Sequence, residues 1–196
     1  MLFRSNGPGE LIAFVAIETG VGFFMGTIAR LLVTTLDLAG TIISMQIGLS
    51  TAMIFNPALQ TTGTLPGVLL SLGGLITILE TNLHHLLLEG VVDSYTLFRP
   101  TDPLPVGDLS DTIARLTGNS FRVGVQMAMP FIVLSLLFTF ALGLTSRLMP
   151  TLQIFFVSVP AQLAGGFLII IVSLSAMMNM FLTYFHETLV GLLVPR

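Results

Sequence analysis

Long apolar runs separated by short polar breaks dominate this chain. Five runs are long enough to form membrane-depth helices, because an α-helix rises about 1.5 Å per residue and a bilayer core is about 30 Å thick. They cover residues 11–36, 37–55, 65–89, 121–144 and 152–193. No internal repeat of fixed period is visible. The pattern predicts an all-α, polytopic membrane protein built from proline-broken helical hairpins, with about five apolar helical segments.

The polar breaks divide the chain into four predicted parts. Residues 1–10 form an irregular lead-in, residues 11–89 an N-terminal helical membrane part, residues 90–120 a polar loop with a short helix, and residues 121–196 a C-terminal helical hairpin part. Asn56-Pro57 is predicted to end the second run, since proline lacks a donor and clashes with the preceding turn. Pro160 is predicted to divide the last run.

A short polar elbow, Thr145-Ser146-Arg147, joins the two most apolar stretches, with Pro150 just beyond it. Arg147 is the only charged residue between Arg122 and His186. A lone guanidinium between two such stretches needs water, lipid phosphate or a buried partner. The pattern therefore predicts a helix-elbow-helix unit in a membrane or a membrane-embedded assembly.

The composition supports a membrane protein and excludes several classes of chemistry. The chain is 54% hydrophobic and 9% charged, with a mean hydropathy of +0.96, whereas soluble domains carry about 25% charged residues. The net charge of −3 is too small to indicate nucleic acid as a partner. Because cysteine and lysine are absent, disulfides, iron–sulfur clusters and a Walker lysine are excluded. No Gly-x-Ser-x-Gly motif occurs either, so we expect no enzymatic activity and no cofactor.

One polar cluster lies at membrane depth in the third run. Glu80 and His84 are four residues apart and are predicted to share a helix face, with His85 and Glu89 close by. Zinc proteases place two histidines four residues apart, whereas His84 and His85 are adjacent and point to different faces. Hydrogen bonding between helices is therefore favoured over a metal site. Two alternatives stay open: a proton-coupled small-solute transporter using Gln46, Glu80 and His84, and a metalloenzyme at the two histidines.

Three stretches in the right order resemble the FliR/SctT family of type III secretion export-gate proteins, and more closely its flagellar branch. They are Met45-Gln46-Ile47-Gly48-Leu49-Ser50 with Ile54-Phe55-Asn56-Pro57, then Asn82-Leu83-His84-His85-Leu86-Leu87-Leu88 with Asp93-Ser94-Tyr95, and the stretch from Met129-Pro130 through Ser146-Arg147, Met149-Pro150, Gln153 and Phe155 to Pro160. Each motif alone is weak, but the likeness covers nearly everything from Leu11 onward. Family members carry further hydrophobic segments upstream of that point, so the chain is expected to be N-terminally incomplete.

The resemblance implies a structural and conductive role without catalysis. It implies a protein of the bacterial inner membrane and the flagellar basal body, which joins FliP and FliQ in a closed-pore assembly, associates with FlhB and lets unfolded flagellar subunits cross. We hypothesise that the break at residues 45–57 and the elbow lie at subunit contacts or near the pore closure. The candidate residues are Gln46, Asn56, Pro57, Glu80, His84, Arg147, Pro150, Gln153, Phe155 and Phe156.

Overall fold

Five α-helices make up the part of the chain that the computed structural model describes, namely residues 8–49, 63–97, 106–148 and 154–193. They are α1 (Pro8–Gln46), α2 (Leu65–Glu80), α3 (His84–Leu97), α4 (Val106–Leu148) and α5 (Ile154–Leu193). These described ranges contain no strand. The predicted all-α class is confirmed. The predicted start of the third run coincides with the start of α2 at Leu65, whereas most other described helix ends lie at other residues than predicted.

The first predicted segment and residues 37–46 of the second form one continuous helix, α1. It begins at Pro8, within the predicted lead-in, where the fixed φ of proline suits a first helical turn. The prediction of a boundary at residues 36–37 is wrong, because no proline or glycine pair interrupts the helix there. Asp37 does not break the helix, since its carboxylate accepts a hydrogen bond from Ser71 Oγ on α2.

The third predicted segment is bent instead of straight. α2 and α3 meet at an angle of 75°. Asn82 adopts a positive φ of 58°, and two bonds close the end of α2: Leu83 N donates to Ile78 O and Asn82 N donates to Leu79 O. This is the Schellman arrangement that ends helices at a left-handed residue. Asparagine tolerates that conformation better than other side chains with a Cβ, which explains why the bend falls here.

The described parts of the predicted polar loop and of the predicted elbow are helical, and residues 98–105 of the loop lie outside the described ranges. Residues 106–120 form the first part of α4, with Asp108 in its first turn. Thr145, Ser146 and Arg147 belong to its last turns, so the prediction that these three residues form the elbow is wrong. Pro160 lies inside α5, and the prediction that it divides the last run is wrong too. A proline so near the start of a helix removes one backbone hydrogen bond without ending it.

The central element of the fold is α1, which contacts all four other helices. One of its faces is buried through Ile28, Leu32, Leu36, Ala39 and Ile43. Within the described ranges, three helices are long and apolar enough to cross a membrane, Val15–Gln46, Val106–Arg147 and Ser158–Leu192, and the bent pair α2–α3 makes a fourth if it counts as one span. The five predicted segments therefore correspond to three or four candidate spans.

Glycines set how closely α2 approaches α1. A Cβ added at Gly40 would lie 2.1 Å from the Cα of Gly67, so the two backbones touch there. Farther along, a Cβ at Gly74 would lie 2.2 Å from Leu36 Cδ1. The two helices therefore run antiparallel along a seam of small residues. By contrast, among the described residues nothing lies within 4 Å of a Cβ at Gly22 or Gly26. Two glycines four residues apart are typical of close helix packing, but this face of α1 is open within the described part of the chain.

Candidate functional site

Gln46, the last residue of α1, joins three helices. Its side-chain Oε1 accepts a hydrogen bond of 2.6 Å from Ser135 Oγ on α4. Its backbone carbonyl accepts a hydrogen bond of 2.6 Å from Gln162 Nε2 on α5. These two contacts connect residues 89 and 116 positions apart in the sequence. We call this group of three residues the Gln46 junction.

The local sequence explains why α1 ends at this point. Gly48 has a φ of +81°, a left-handed conformation that glycine adopts without steric cost and that commonly follows a helix end. Gly48 N donates to Met45 O at 3.4 Å, which is a weak closing bond. The predicted second segment runs to residue 55, and its predicted end at Asn56-Pro57 lies outside the described residues. The missed signal is the glycine directly after Gln46-Ile47.

Close packing reinforces the polar contacts of the junction. Ile47 is only 1% exposed, and a Cβ added at Gly166 would lie 2.3 Å from Ile47 Cγ2. The backbone of α5 therefore approaches the end of α1 within side-chain contact. None of the three junction residues carries a titratable acid or base, so the junction can hold three helices at one level, and the Ser135 hydroxyl has no general base among its partners there.

Glu80, His84 and His85 occupy the bend between α2 and α3. Glu80 ends α2 and is exposed, whereas His84 begins α3. The bend removes the continuous helix on which Glu80 and His84 were predicted to share a face, so that prediction is wrong. The two histidine rings contact each other with centroids 4.2 Å apart, and His84 Nδ1 is buried without a hydrogen-bond partner. Among the described residues, no three His, Asp or Glu side chains could hold a metal ion.

The described candidate residues do not converge on one site. Because α1 and α2 are antiparallel and Gly67 lies beside Gly40, Glu80 is about 20 Å farther along α2 than the contact with α1. Gln46 lies beyond the opposite end of that contact. Arg147 is exposed and lies twelve residues beyond Ser135, about 18 Å along α4. A path shared by Gln46, Glu80 and His84, which the transporter alternative requires, is therefore not formed within this chain.

Several predicted site residues fall outside what the structure describes. Asn56, Pro57, Pro150 and Gln153 lie outside the described ranges. Phe155 and Phe156 belong to α5, but their side chains are not described. The proposed roles of these residues stay predictions.

Sequence reasoning missed Ser135 and Gln162. Both are polar residues inside long apolar runs, and such side chains are expected to form hydrogen bonds between helices. That signal was visible in the sequence. Their shared partner was not, because nothing in the spacing relates either residue to Gln46.

Comparison with known proteins identifies the family. Residues 2–188 match the family described as "Bacterial export proteins, family 1". The flagellar biosynthetic protein FliR of Caulobacter vibrioides is 39% identical over 181 residues, which cover 92% of this chain and 72% of that protein. FliR of Bacillus subtilis is 32% identical over 168 residues, covering 84% and 64%. The Yop proteins translocation protein T of Yersinia pestis is 27% identical over 174 residues, covering 86% and 66%.

The chain thus spans between 64% and 72% of the length of these three relatives. The matches extend over nearly the whole chain and include both flagellar proteins and a translocation protein. The resemblance drawn from the three sequence motifs is therefore confirmed. This chain belongs to family 1 of the bacterial export proteins.

Proposed function

We propose that this protein is an inner-membrane component of the flagellar type III protein export gate. In this role it helps to form the closed pore through which unfolded flagellar subunits are secreted and on which the basal body is built. The observation that carries the proposal is the match of residues 2–188 to an export family, with 39% identity to a flagellar biosynthetic protein. The role needs helices that pack and conduct and no catalytic group.

The surface of the chain supports an assembly with other membrane subunits. The second half of α4 exposes large apolar side chains at helical spacing, Met129, Val133, Leu136, Phe140 and Leu144. α5 exposes Leu168, Ile171 and Val172 in the same way. Such faces contact lipid or the helices of other membrane proteins. We propose FliP and FliQ as the subunits that cover part of this surface, and FlhB as a further partner.

Co-purification in mild detergent tests the proposal. This chain, carrying a tag, is co-expressed with its cognate FliP and FliQ, and the product is weighed by native mass spectrometry. We expect a discrete complex that contains all three proteins. A parallel preparation with the Caulobacter vibrioides FliR is the control. If that protein assembles and this chain stays alone, the preparation is repeated with the upstream segments of that protein joined to this chain. A joined chain that still stays alone contradicts the proposal.

Arg147 offers a second test within the chain. It lies in the last turn of α4, where a cation interacts favourably with the negative end of the helix dipole and a carboxylate does not. We expect Arg147→Glu to abolish assembly or motility, and Arg147→Lys to retain both. Unchanged motility of Arg147→Glu at normal expression would contradict a role for this end of α4 in subunit contacts.

A further inference from the structure

α1 has one polar face although it is long enough to span a membrane. Thr27, Arg30, Thr34, Asp37 and Thr41 follow one another at steps of three, four, three and four residues, which places them on one face. Between Thr27 and Thr41 only Arg30, Thr34 and Asp37 are exposed, and all three are polar. We call these five residues the polar stripe of α1. The opposite face contains the buried core residues, so Arg30 and Thr34 point away from the rest of the described chain, and only Asp37 reaches α2.

The hydrogen bonds of the stripe leave acceptors directed outward. Thr27, Thr34 and Thr41 each donate to the backbone carbonyl four residues earlier, at 2.7, 2.8 and 2.8 Å. Their hydroxyl protons are therefore engaged, and the remaining oxygen lone pairs are available as acceptors. These internal bonds satisfy the donors but do not make the surface apolar. A surrounding of lipid chains would leave all three oxygens without a second partner.

The two charges of the stripe are opposite and separate. Arg30 and Asp37 lie seven residues apart, about 10 Å along the helix. Asp37 accepts a hydrogen bond from Ser71 on α2, so the polar surface continues onto the neighbouring helix. Within the described residues Arg30 has no ion-pair partner. Ionisable side chains at membrane depth face the interior of an assembly or a water-filled cavity, since hydrocarbon solvates neither charge.

The other candidate spans show what a lipid-compatible surface looks like in this chain. Leu136 and Phe140 on α4 are 70% and 69% exposed, and Ile171 and Val172 on α5 are 77% and 74% exposed. The second half of α4 thus exposes large apolar side chains from Met129 to Leu144, about the length that the stripe occupies on α1, and the middle of α5 exposes them over a shorter stretch. Phe23 and Met45, four residues before and four residues after the stripe, are apolar and 76% and 62% exposed, so the polar surface is confined to the middle of α1. The difference between these faces indicates that this middle part of α1 has a polar environment on its exposed side.

We propose that the polar stripe of α1 lines the water-filled path of the export gate and contacts the polypeptide in transit. This inference rests on the proposed function and adds which helix faces the substrate. An unfolded chain presents backbone N–H donors, which the threonine oxygens accept through weak and exchangeable bonds. One cation and one anion give the stripe no net charge, so segments of either sign pass without being retained. The alternative is that a polar helix of another subunit covers the stripe.

Site-specific photo-crosslinking in exporting cells separates these possibilities. A photo-crosslinking amino acid replaces Thr34 in one strain and Leu136 in the other, and a flagellar subunit fused to a tightly folded domain is stalled during export. We expect position 34 to form an adduct with the stalled subunit and position 136 to form none. An adduct of position 34 with FliP or FliQ only, equal substrate adducts from both positions, or no adduct from position 34 would each overturn the proposal.

Failure of the inference is distinguishable from failure of the proposed function. Co-purification of FliP and FliQ with the crosslinking variants, in the same cells, reports assembly independently of what position 34 touches. If the complex forms and position 34 does not reach the substrate, the export-gate role stands and the stripe is not its lining. If no complex forms with the unsubstituted chain, the proposed function itself fails.

Two neighbouring threonines provide a matched pair of variants. Thr34 is exposed, whereas Thr35 is 1% exposed and donates to Leu31 O. Valine has nearly the shape of threonine without the hydroxyl. We expect Thr34→Val to slow export about two- to tenfold, the range that corresponds to one net hydrogen bond, at an unchanged level of assembled complex. Thr35→Val should leave the export rate per complex unchanged. Equal rates for the two variants would contradict the proposal.

Discussion

The contact between α1 and α2 at Gly40 predicts an unusually large effect of one methyl group. A Cβ at Gly40 would lie 2.1 Å from Gly67 Cα, whereas carbon atoms pack at about 3.5–4.0 Å. Gly40→Ala therefore forces the helices apart by about 1.5 Å, because backbone atoms on both sides cannot rotate away. A gap of half to one ångström between α1 and α2 already removes about a quarter to half of the dispersion energy of their contact. The same displacement lengthens the Asp37–Ser71 hydrogen bond, which is 2.5 Å long.

We expect Gly40→Ala to lower the free energy of unfolding by about 3 kcal/mol, at the upper end of the usual cost of overpacking. For a chain of this length that corresponds to a fall of about 6–12 °C in the unfolding midpoint. Gly74→Ala should cost less, since the atom its Cβ meets is the mobile end of Leu36. Gly22→Ala should cost nothing and add helix propensity, because nothing lies within 4 Å of its Cβ.

Thermal unfolding of the purified complex in detergent, followed by circular dichroism, measures these differences. Gly22→Ala is the matched control, since it makes the same chemical change in the same helix without a contact. The steric reasoning is wrong if Gly40→Ala unfolds within about 2 °C of the unsubstituted protein. It is equally wrong if Gly22→Ala and Gly40→Ala lose the same stability.

Three further predictions use the same unfolding assay. Gln162→Ala leaves the Gln46 carbonyl without its donor and should cost about 1–3 kcal/mol, whereas Gln46→Ala removes only the Ser135 bond and should cost about 1 kcal/mol; the reverse order would contradict the assignment of the junction. Asn82→Val should cost about 1–2 kcal/mol because of the positive φ, and Asn82→Gly should cost little; equal costs would contradict a left-handed bend. Ser44 Oγ is buried without a hydrogen-bond partner, so Ser44→Ala should be neutral or stabilising by about 1 kcal/mol, and a clear loss would reveal a missing partner.

The class of the fold was readable from the sequence because it depends on local composition. Long apolar runs, few charges and prolines at run ends predict membrane helices without knowledge of any contact. The helix ends were harder to predict, because two of them depend on single residues in the left-handed conformation. The predictions relied on prolines, but α1 and α2 each end two residues before a residue of positive φ, Gly48 and Asn82, and α5 continues through Pro160.

The candidate site was only partly readable, since its contacts join distant parts of the chain. Gln46 was recognised as a polar residue in an apolar run, but Ser135 and Gln162 meet it only after α1, α4 and α5 have packed. The bend at Asn82 also separates Glu80 from the helix of His84, which no spacing rule could show. Short-range patterns assume a continuous helix and fail where a single residue turns the chain.

The polar stripe of α1 shows that a wrong helix boundary also hides a periodic pattern. The predicted boundary between residues 36 and 37 places Thr27, Arg30 and Thr34 in one helix and Asp37 and Thr41 in another. Each group then resembles an isolated interruption of a membrane helix. Joined in one helix, the five residues fall on one face with the period of 3.6 that marks amphipathic helices. The apolar face of α1 is already buried by the other helices of the chain. Its polar face is therefore the outer one, and this face needs a polar environment. The polar residues of α1 therefore predict a hydrated face only because the helix is continuous.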